Sequence, residues 1–203
     1  IMCGFGIILN DKILNKIDVY NVHPGELPKY KGRHPTFFAT INGEKTINFT
    51  LHKVVTEIDS GEIIDEVTMD YYYWLNETDI KNFLFKAFKL LINKLELFLL
   101  GKVNTKINEG GNYFKPVTIK DKTLDPNLPA QHLLNIIRAQ SLHGGGILMY
   151  NGIEYFVERA SISKYQREFH FEGKIVLHKE KPIGIKIDEK YFIKFESIGF
   201  NKG

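Results

Sequence analysis

The chain has 203 residues, which suits one large domain or a main domain with a smaller companion. Its hydrophobic fraction of 43% and charged fraction of 25% are those of an ordinary globular protein. A net charge of +3 is too small to indicate nucleic acid or an anionic membrane by itself. The single cysteine, Cys3, excludes an intrachain disulfide, so we expect a cytoplasmic protein.

Two apolar runs do not have the form of membrane spans. Residues 1–9 are too few to cross a bilayer, and they lack the basic flank and cleavage site of a signal peptide. Residues 83–100 are interrupted by lysines and a glutamate, which favours an amphipathic helix. We therefore expect no membrane partner. Because a buried-strand pattern opens the chain, we also expect that upstream sequence is missing.

The first hundred residues alternate short strands and helices. Residues 2–9 are typical of a strand or strand-loop, in which Gly4 and Gly6 let the backbone approach a ligand. A short helix after Asn10 precedes a buried strand at 17–22, whose continuous apolar character favours a parallel sheet. The pattern then predicts a helix at 35–41, strands at 46–55 and 63–72, and a helix at 78–100.

The character of the sequence changes after Gly101. Residues 104–116 are polar and predict a linker or extended crossing segment, and a short helix follows at 129–139. Five short alternating segments between residues 147 and 200 indicate a small β-barrel or open sheet. We therefore predict a first domain at 1–103, a linker at 104–116 and a second domain at 117–203.

Polar side chains gather at the end of one predicted strand and in a later turn. Asn21 and His23 end the strand at 17–22, His52 lies on a later strand, and Asp59 follows in a turn. An amide and an imidazolium can stabilise an oxyanion while a carboxylate accepts a proton, which suits attack of an amine on an acyl carbon. Nucleophilic hydrolysis fits less well, since Cys3 lies in an apolar strand and no serine occupies a strand-to-helix elbow.

Each of these residues also has a purely structural interpretation. Asn21 can brace a turn, His23 can be an ordinary loop histidine, and Asp59 can form an Asx-turn. Zinc is not expected, because no short His-x-x-x-His or Cys-x-x-Cys spacing occurs. The pair Gly4 and Gly6 is too short for a dinucleotide fingerprint.

Two stretches, NVHPGELPKYKGRHP and TLHKVVTEIDSGEII, resemble the formyltransferase family that uses 10-formyltetrahydrofolate. The family includes sugar N-formyltransferases and methionyl-tRNA formyltransferases, and six positions match its signature: Asn21, His23, Thr50, His52, Asp59 and Gly61. The resemblance implies an α/β, doubly wound, Rossmann-like formyltransferase domain that lacks its N-terminal part. The stretch NYFKPVTIKDKTLDPNLPAQHLLNIIRA resembles the start of the family's C-terminal β-barrel, which implies an OB-like second domain.

The resemblance also implies roles for individual residues. Asn21 and a protonated His23 would bind the oxyanion, and Asp59 would hold His23 and relay the proton of the amine. His52 and Thr50 would support this group, and no metal is implied. The walls of the folate pocket would be formed by Phe5, Gly6, Ile7, Leu9, Glu57 and Ile58. Candidate contacts to the acceptor are Arg33 and His34.

The acceptor is open at this stage. From residue 104 onward the sequence has 15 Lys and Arg against 11 Asp and Glu, a modest excess for a transfer-RNA binder. We therefore favour an amino sugar carried on a nucleotide, with methionyl-tRNA as the alternative acceptor. A formyltetrahydrofolate deformylase and a folate-binding protein without activity are further alternatives. An exposed apolar β-face in the second domain suits a homodimer.

Overall fold

The computed structural model describes residues 1–4, 6–71, 77–141 and 143–200, with backbone only for residues 77–81. It divides into two compact units. Unit 1 comprises residues 1–39 and 44–116, and unit 2 comprises residues 40–43 and those from 117 onward. No helix among the described residues is long and apolar enough to cross a membrane.

The chain up to Pro116 forms six strands and three helices within its described part. They are, in order, β1 (Met2–Cys3), α1 (Asp11–Leu14), β2 (Tyr20–His23), β3 (Tyr30–Gly32), α2 (Pro35–Ile41), β4 (Thr46–Lys53), β5 (Ile63–Asp70), α3 (Glu77–Leu99) and β6 (Asn112–Phe114). Four strands form one sheet in the order β1-β2-β4-β5. The expected parallel arrangement holds only for β1 with β2, because β4 runs antiparallel to both of its neighbours.

Helix α3 covers this sheet and closes the core of unit 1. Its residues Ala87, Leu91 and Leu95 recur at helical spacing and are buried against strand residues such as Leu51 and Ile64. Burying each leucine side chain contributes roughly 1.5–3 kcal/mol. This packing holds β4, which carries two residues of the predicted site.

Residues 104–116, predicted as a linker, pack as part of unit 1. Strand β6 pairs in parallel with β3, and Lys106 forms an isolated antiparallel bridge with Ile63. The segment therefore contacts β3, which follows His23, and the start of β5, which follows the turn with Asp59.

Unit 2 is built on one antiparallel sheet and two helices in its described part. Its elements are α4 (Ile119–Lys122), α5 (Ala130–Gln140), β7 (Gly146–Tyr150), β8 (Ile153–Lys164), β9 (His170–Glu172), β10 (Ile175–His178), β11 (Lys181–Lys186) and β12 (Tyr191–Phe200). The strand order is β7-β8-β12-β11-β10-β9, so β7 and β9 end the sheet in the described part of the chain. Leu133, Ile136 and Ile137 of α5 pack into its core. The structure thus shows a six-stranded sheet, and the expected OB-like barrel is not confirmed.

Candidate active site

The pairing of β2 with β4 brings four of the predicted site residues together. Asn21 lies directly opposite His52, and His23 lies opposite Thr50. Side chains two residues apart on a strand share a face, as do those of directly opposed residues. The amide nitrogen of Asn21 accordingly lies 3.2 Å from Nε2 of His52.

Asp59 reaches the same place from the turn that follows β4. Its Oδ2 accepts a hydrogen bond from the Gly32 amide at 2.9 Å and lies 3.5 Å from Nδ1 of His23. Its other oxygen, Oδ1, lies 3.5 Å from Nε2 of His52. One carboxylate therefore lies between two buried imidazoles.

The turn that carries Asp59 needs an unusual backbone and a close approach. Asp59 has φ of 51°, in the left-handed region that non-glycine residues rarely adopt. Two residues later, a Cβ on Gly61 would lie 1.9 Å from the carbonyl oxygen of Lys53. A side chain at this position would push the turn away from β4 and take Asp59 from the histidines.

Two backbone carbonyls assign the protons on the histidine rings. Nε2 of His23 lies 2.7 Å from the carbonyl oxygen of Tyr30, and Nδ1 of His52 lies 2.8 Å from that of Lys53. A carbonyl only accepts hydrogen bonds, so each of these nitrogens carries a hydrogen. The nitrogens that face Asp59 are the other two, Nδ1 of His23 and Nε2 of His52.

Thr50 fixes the loop after β2 and does not face solvent. It is fully buried, and its hydroxyl donates to the carbonyl of Gly25 at 2.7 Å. The same oxygen accepts a long hydrogen bond of 3.4 Å from the amide of Leu27. Thr50 thus holds the loop that leaves His23.

A cleft of about 350 Å³ is lined on one side by Asn21, His23, His52 and Asp59. The segment at 6–9 and the residues after β4 form much of its apolar wall, and Arg33 and His34 also line it. In the described part of the chain, no three His, Cys, Asp or Glu side chains form a group suited to a metal ion. The cleft is large enough for a small organic molecule.

Comparison with known proteins finds a family that is similar to the first part of the chain. Residues 1–82 match the family described as formyl transferase. These residues are therefore similar to formyltransferases. The match includes β2, β4 and the turn with Asp59.

Relatives extend the similarity beyond these residues. The chain is 34% identical over 152 residues to the bifunctional polymyxin resistance protein ArnA of Wigglesworthia glossinidia brevipalpis, covering 70% of this chain and 23% of ArnA. It is 28% identical over 160 residues to the methionyl-tRNA formyltransferase of Thermotoga maritima, covering 76% of this chain and 51% of the relative. The chain thus spans about half the length of that relative.

A solved structure shares the fold. The N-formyltransferase from Helicobacter canadensis, in complex with folinic acid and dTDP-3-aminofucose, superposes with a TM-score of 0.62 at 19% identity. The alignment covers 87% of this chain and 65% of that one.

Most residues assigned from the formyltransferase resemblance line the cleft, but not all do. Those that line it are Asn21, His23, His52, Asp59, Gly6, Ile7, Leu9, Ile58, Arg33 and His34. Glu57 is exposed and Thr50 is buried, and neither is part of the cleft lining. Phe5 lies outside the described residues.

Sequence reasoning missed several residues that line the cleft or support it. Val54, Val55 and Thr56 line it directly after β4, and their position between His52 and Asp59 was a usable signal. Tyr113 lines it from β6, and Asn108 hydrogen-bonds the Asp59 turn. No local sequence pattern predicts Tyr113 or Asn108 as site residues, because both reach the site only through the path of residues 104–116.

Burial and the neighbouring groups have opposite effects on the pKa values of His23 and Asp59. Burial lowers the pKa of His23 below its usual value, although the charge of Asp59 and the Tyr30 carbonyl act in the opposite direction. Burial alone would raise the pKa of Asp59. The hydrogen bond with His52, the nearby His23 and the Gly32 amide together hold that pKa below its usual range. At His23 burial thus acts against the protonated ring that the resemblance implies, while the charge of Asp59 acts in its favour.

Proposed function

We propose that the protein transfers the formyl group of 10-formyltetrahydrofolate to the amine of an amino sugar carried on a nucleotide. The observation that carries this proposal is the Asp59 carboxylate held between His23 and His52, beside Asn21, at the wall of a cleft. The match of residues 1–82 to the formyltransferase family supports the same reaction.

The four side chains suit the steps of this transfer. The amine nitrogen attacks the formyl carbon, and the carbonyl electrons move onto oxygen, where Asn21 and the positive charge of a protonated His23 stabilise the oxyanion. Asp59 accepts the proton that the amine loses and passes it towards N10 of the folate as the bond from carbon to N10 breaks. His52 orients Asp59, and Thr50 fixes the loop after His23.

The lining of the cleft contains groups that suit the donor and groups that suit the acceptor. The apolar wall formed by Ile7, Leu9 and Ile58 suits a flat pterin ring, and Arg33 can meet the phosphates of a nucleotide. The related structure from Helicobacter canadensis contains a folate and a nucleotide-linked amino sugar, which supports this class of ligands.

Methionyl-tRNA is the second candidate acceptor. Two relatives that bear the name methionyl-tRNA formyltransferase match the chain at 28% and 30% identity over 160 residues, which supports this acceptor. The modest basic excess after residue 104 counts against it, because RNA binding rests mainly on Lys and Arg contacts to phosphates.

Asp59→Asn tests the proposed chemistry. An amide cannot accept the proton, so we expect kcat to fall about 10²–10⁴-fold. Folate binding, measured by isothermal titration calorimetry, should change little because the amide has the same shape. The assay follows transfer from 10-formyltetrahydrofolate to a panel of amino-sugar nucleotides and to methionyl-tRNA.

Asp18→Asn is the matched control, because Asp18 is 63% exposed and pairs with Lys53 on the surface. It should transfer at the wild-type rate. Near-normal turnover by Asp59→Asn would refute the role of Asp59. Folate binding by the wild type without transfer to any acceptor would indicate a binding protein instead.

A further inference from the structure

The segment that crosses back after α3 contacts both loops of the candidate active site. Asn108 lies in this segment and is only 6% exposed. Its amide nitrogen donates to the carbonyl oxygen of Asp59 at 2.9 Å and to that of Gly61 at 2.7 Å. One side chain therefore binds both carbonyls of the turn that presents the carboxylate.

These two hydrogen bonds hold a backbone that is unfavourable by itself. A non-glycine residue in the left-handed region is unfavourable, and Asp59 is held there. A buried hydrogen bond is stabilising, so the two from Asn108 act against this cost. Without them, the turn can relax and move the carboxylate.

The same segment also fixes the partners of His23 and Asp59 on the other loop. Strand β6 pairs with β3, and the amide of Arg33 donates to the carbonyl of Phe114 at 3.0 Å. Strand β3 supplies the Tyr30 carbonyl that binds His23 and the Gly32 amide that binds Asp59.

An asparagine at 108 is not explained by stability alone. Its oxygen Oδ1 is buried and has no hydrogen-bond partner among the described protein atoms. An unpaired buried acceptor is unfavourable. The favourable contribution of Asn108 therefore comes from the two hydrogen bonds that its amide nitrogen donates. Those bonds end on the turn that carries Asp59.

We propose that Asn108 is a positioning residue for formyl transfer, which sets the Asp59 carboxylate against His23 and His52 by clamping the carbonyls of residues 59 and 61. This inference rests on the proposed function. It assigns Asn108 no contact with either substrate.

Asn108→Ala and Asn108→Asp test the proposal. Alanine removes both donors, and aspartate places a carboxylate against two carbonyl oxygens. We expect kcat to fall about 10–100-fold in both variants, the scale of a small misplacement of a reacting group. The KM for 10-formyltetrahydrofolate should change less than about threefold, since the pocket wall is intact. Asn104→Ala, an exposed asparagine of the same segment, should match the wild type.

A second measurement, which does not require formyl transfer, distinguishes a displaced Asp59 from a loss of folded protein. The ring of His23 faces Asp59 and His52, and the carboxylate acts to raise its pKa against burial. If Asp59 moves away, the midpoint of His23 in histidine NMR titrations should fall in Asn108→Ala and stay unchanged in Asn104→Ala.

The outcomes are distinct. An unchanged His23 midpoint together with a kcat that falls only in proportion to the folded fraction would overturn the role of Asn108. Absence of transfer by the wild type to every acceptor would refute the proposed function. The His23 midpoints would then still decide whether Asn108 positions Asp59.

Discussion

At the scale of single residues, the ring nitrogens that face Asp59 are those that do not donate to a backbone carbonyl. Each histidine donates one ring N–H to a backbone carbonyl, and the remaining ring nitrogen of His52, Nε2, faces Asp59 and Asn21. The amide of Asn21 can donate one hydrogen to that nitrogen. Its second hydrogen is the donor that our proposal assigns to the oxyanion. His52 thereby sets the orientation of Asn21.

Burial of His23 predicts a pH dependence of stability. Its pKa in the folded protein is below the value of about 6.5 found in unfolded chains. As the pH falls through about 6.5, the unfolded state binds a proton that the folded state does not, so stability decreases towards acid pH. We expect His23→Gln to flatten the decrease in unfolding free energy between pH 7.5 and 5.5.

Urea unfolding at several pH values in this window measures the effect, which one proton limits to about 1.4 kcal/mol per pH unit. The lowered pKa of Asp59 acts only at a more acid pH, so it does not interfere. His170→Gln, an exposed histidine of unit 2, is the control. Equal slopes for His23→Gln and the wild type would contradict the prediction.

At the scale of elements, long periodic segments were predictable and short pairings were not. Helix α2 begins at Pro35, α3 lies where its apolar spacing predicts, and β12 covers the predicted final strand. The three-residue strands β6 and β9 were missed because so few residues carry no usable pattern. The antiparallel course of β4 was also missed, since a buried strand looks the same in either direction.

The crossing segment gives a prediction at this scale. A Cβ on Gly111 would lie 1.7 Å from the carbonyl oxygen of Pro28, at the entry to β3. Gly111→Ala must therefore separate β6 from β3, and we expect a loss of about 1–3 kcal/mol beyond the backbone cost. Thermal unfolding measures the loss, which corresponds to roughly 2–4 °C per kcal/mol.

Gly110→Ala is a close control for this substitution. Both glycines have positive φ, 74° and 79°, but a Cβ on Gly110 would meet no atom within 4 Å. The difference between the two variants isolates the clash from the backbone strain that they share. If both lose the same stability, the pairing of β3 with β6 does not depend on this close approach.

At the scale of the whole molecule, the candidate site was largely predictable because one compact stretch carries it. Asn21, His23, His52 and Asp59 fall within 39 residues of sequence and meet through a single strand pair and one turn. Tyr113 and Asn108 come from beyond α3, and only the path of the chain brings them to the cleft. The form of unit 2 could not be fixed either, since short alternating strands fit a barrel and an open sheet equally well.

The charge of the whole chain gives a test of the acceptor. With a net charge of +3 and no strong basic excess after residue 104, we expect acceptor binding to depend weakly on salt. A nucleotide offers few phosphates, so its KM should rise less than about threefold between 50 and 200 mM salt. A protein that makes six or more phosphate contacts with RNA would lose on the order of 10³ in affinity. The comparison is the binding of methionyl-tRNA, measured over the same range of salt concentration. Tight, steeply salt-dependent binding of the tRNA, with no transfer to any amino sugar, would reverse the choice of acceptor while leaving the formyl chemistry in place.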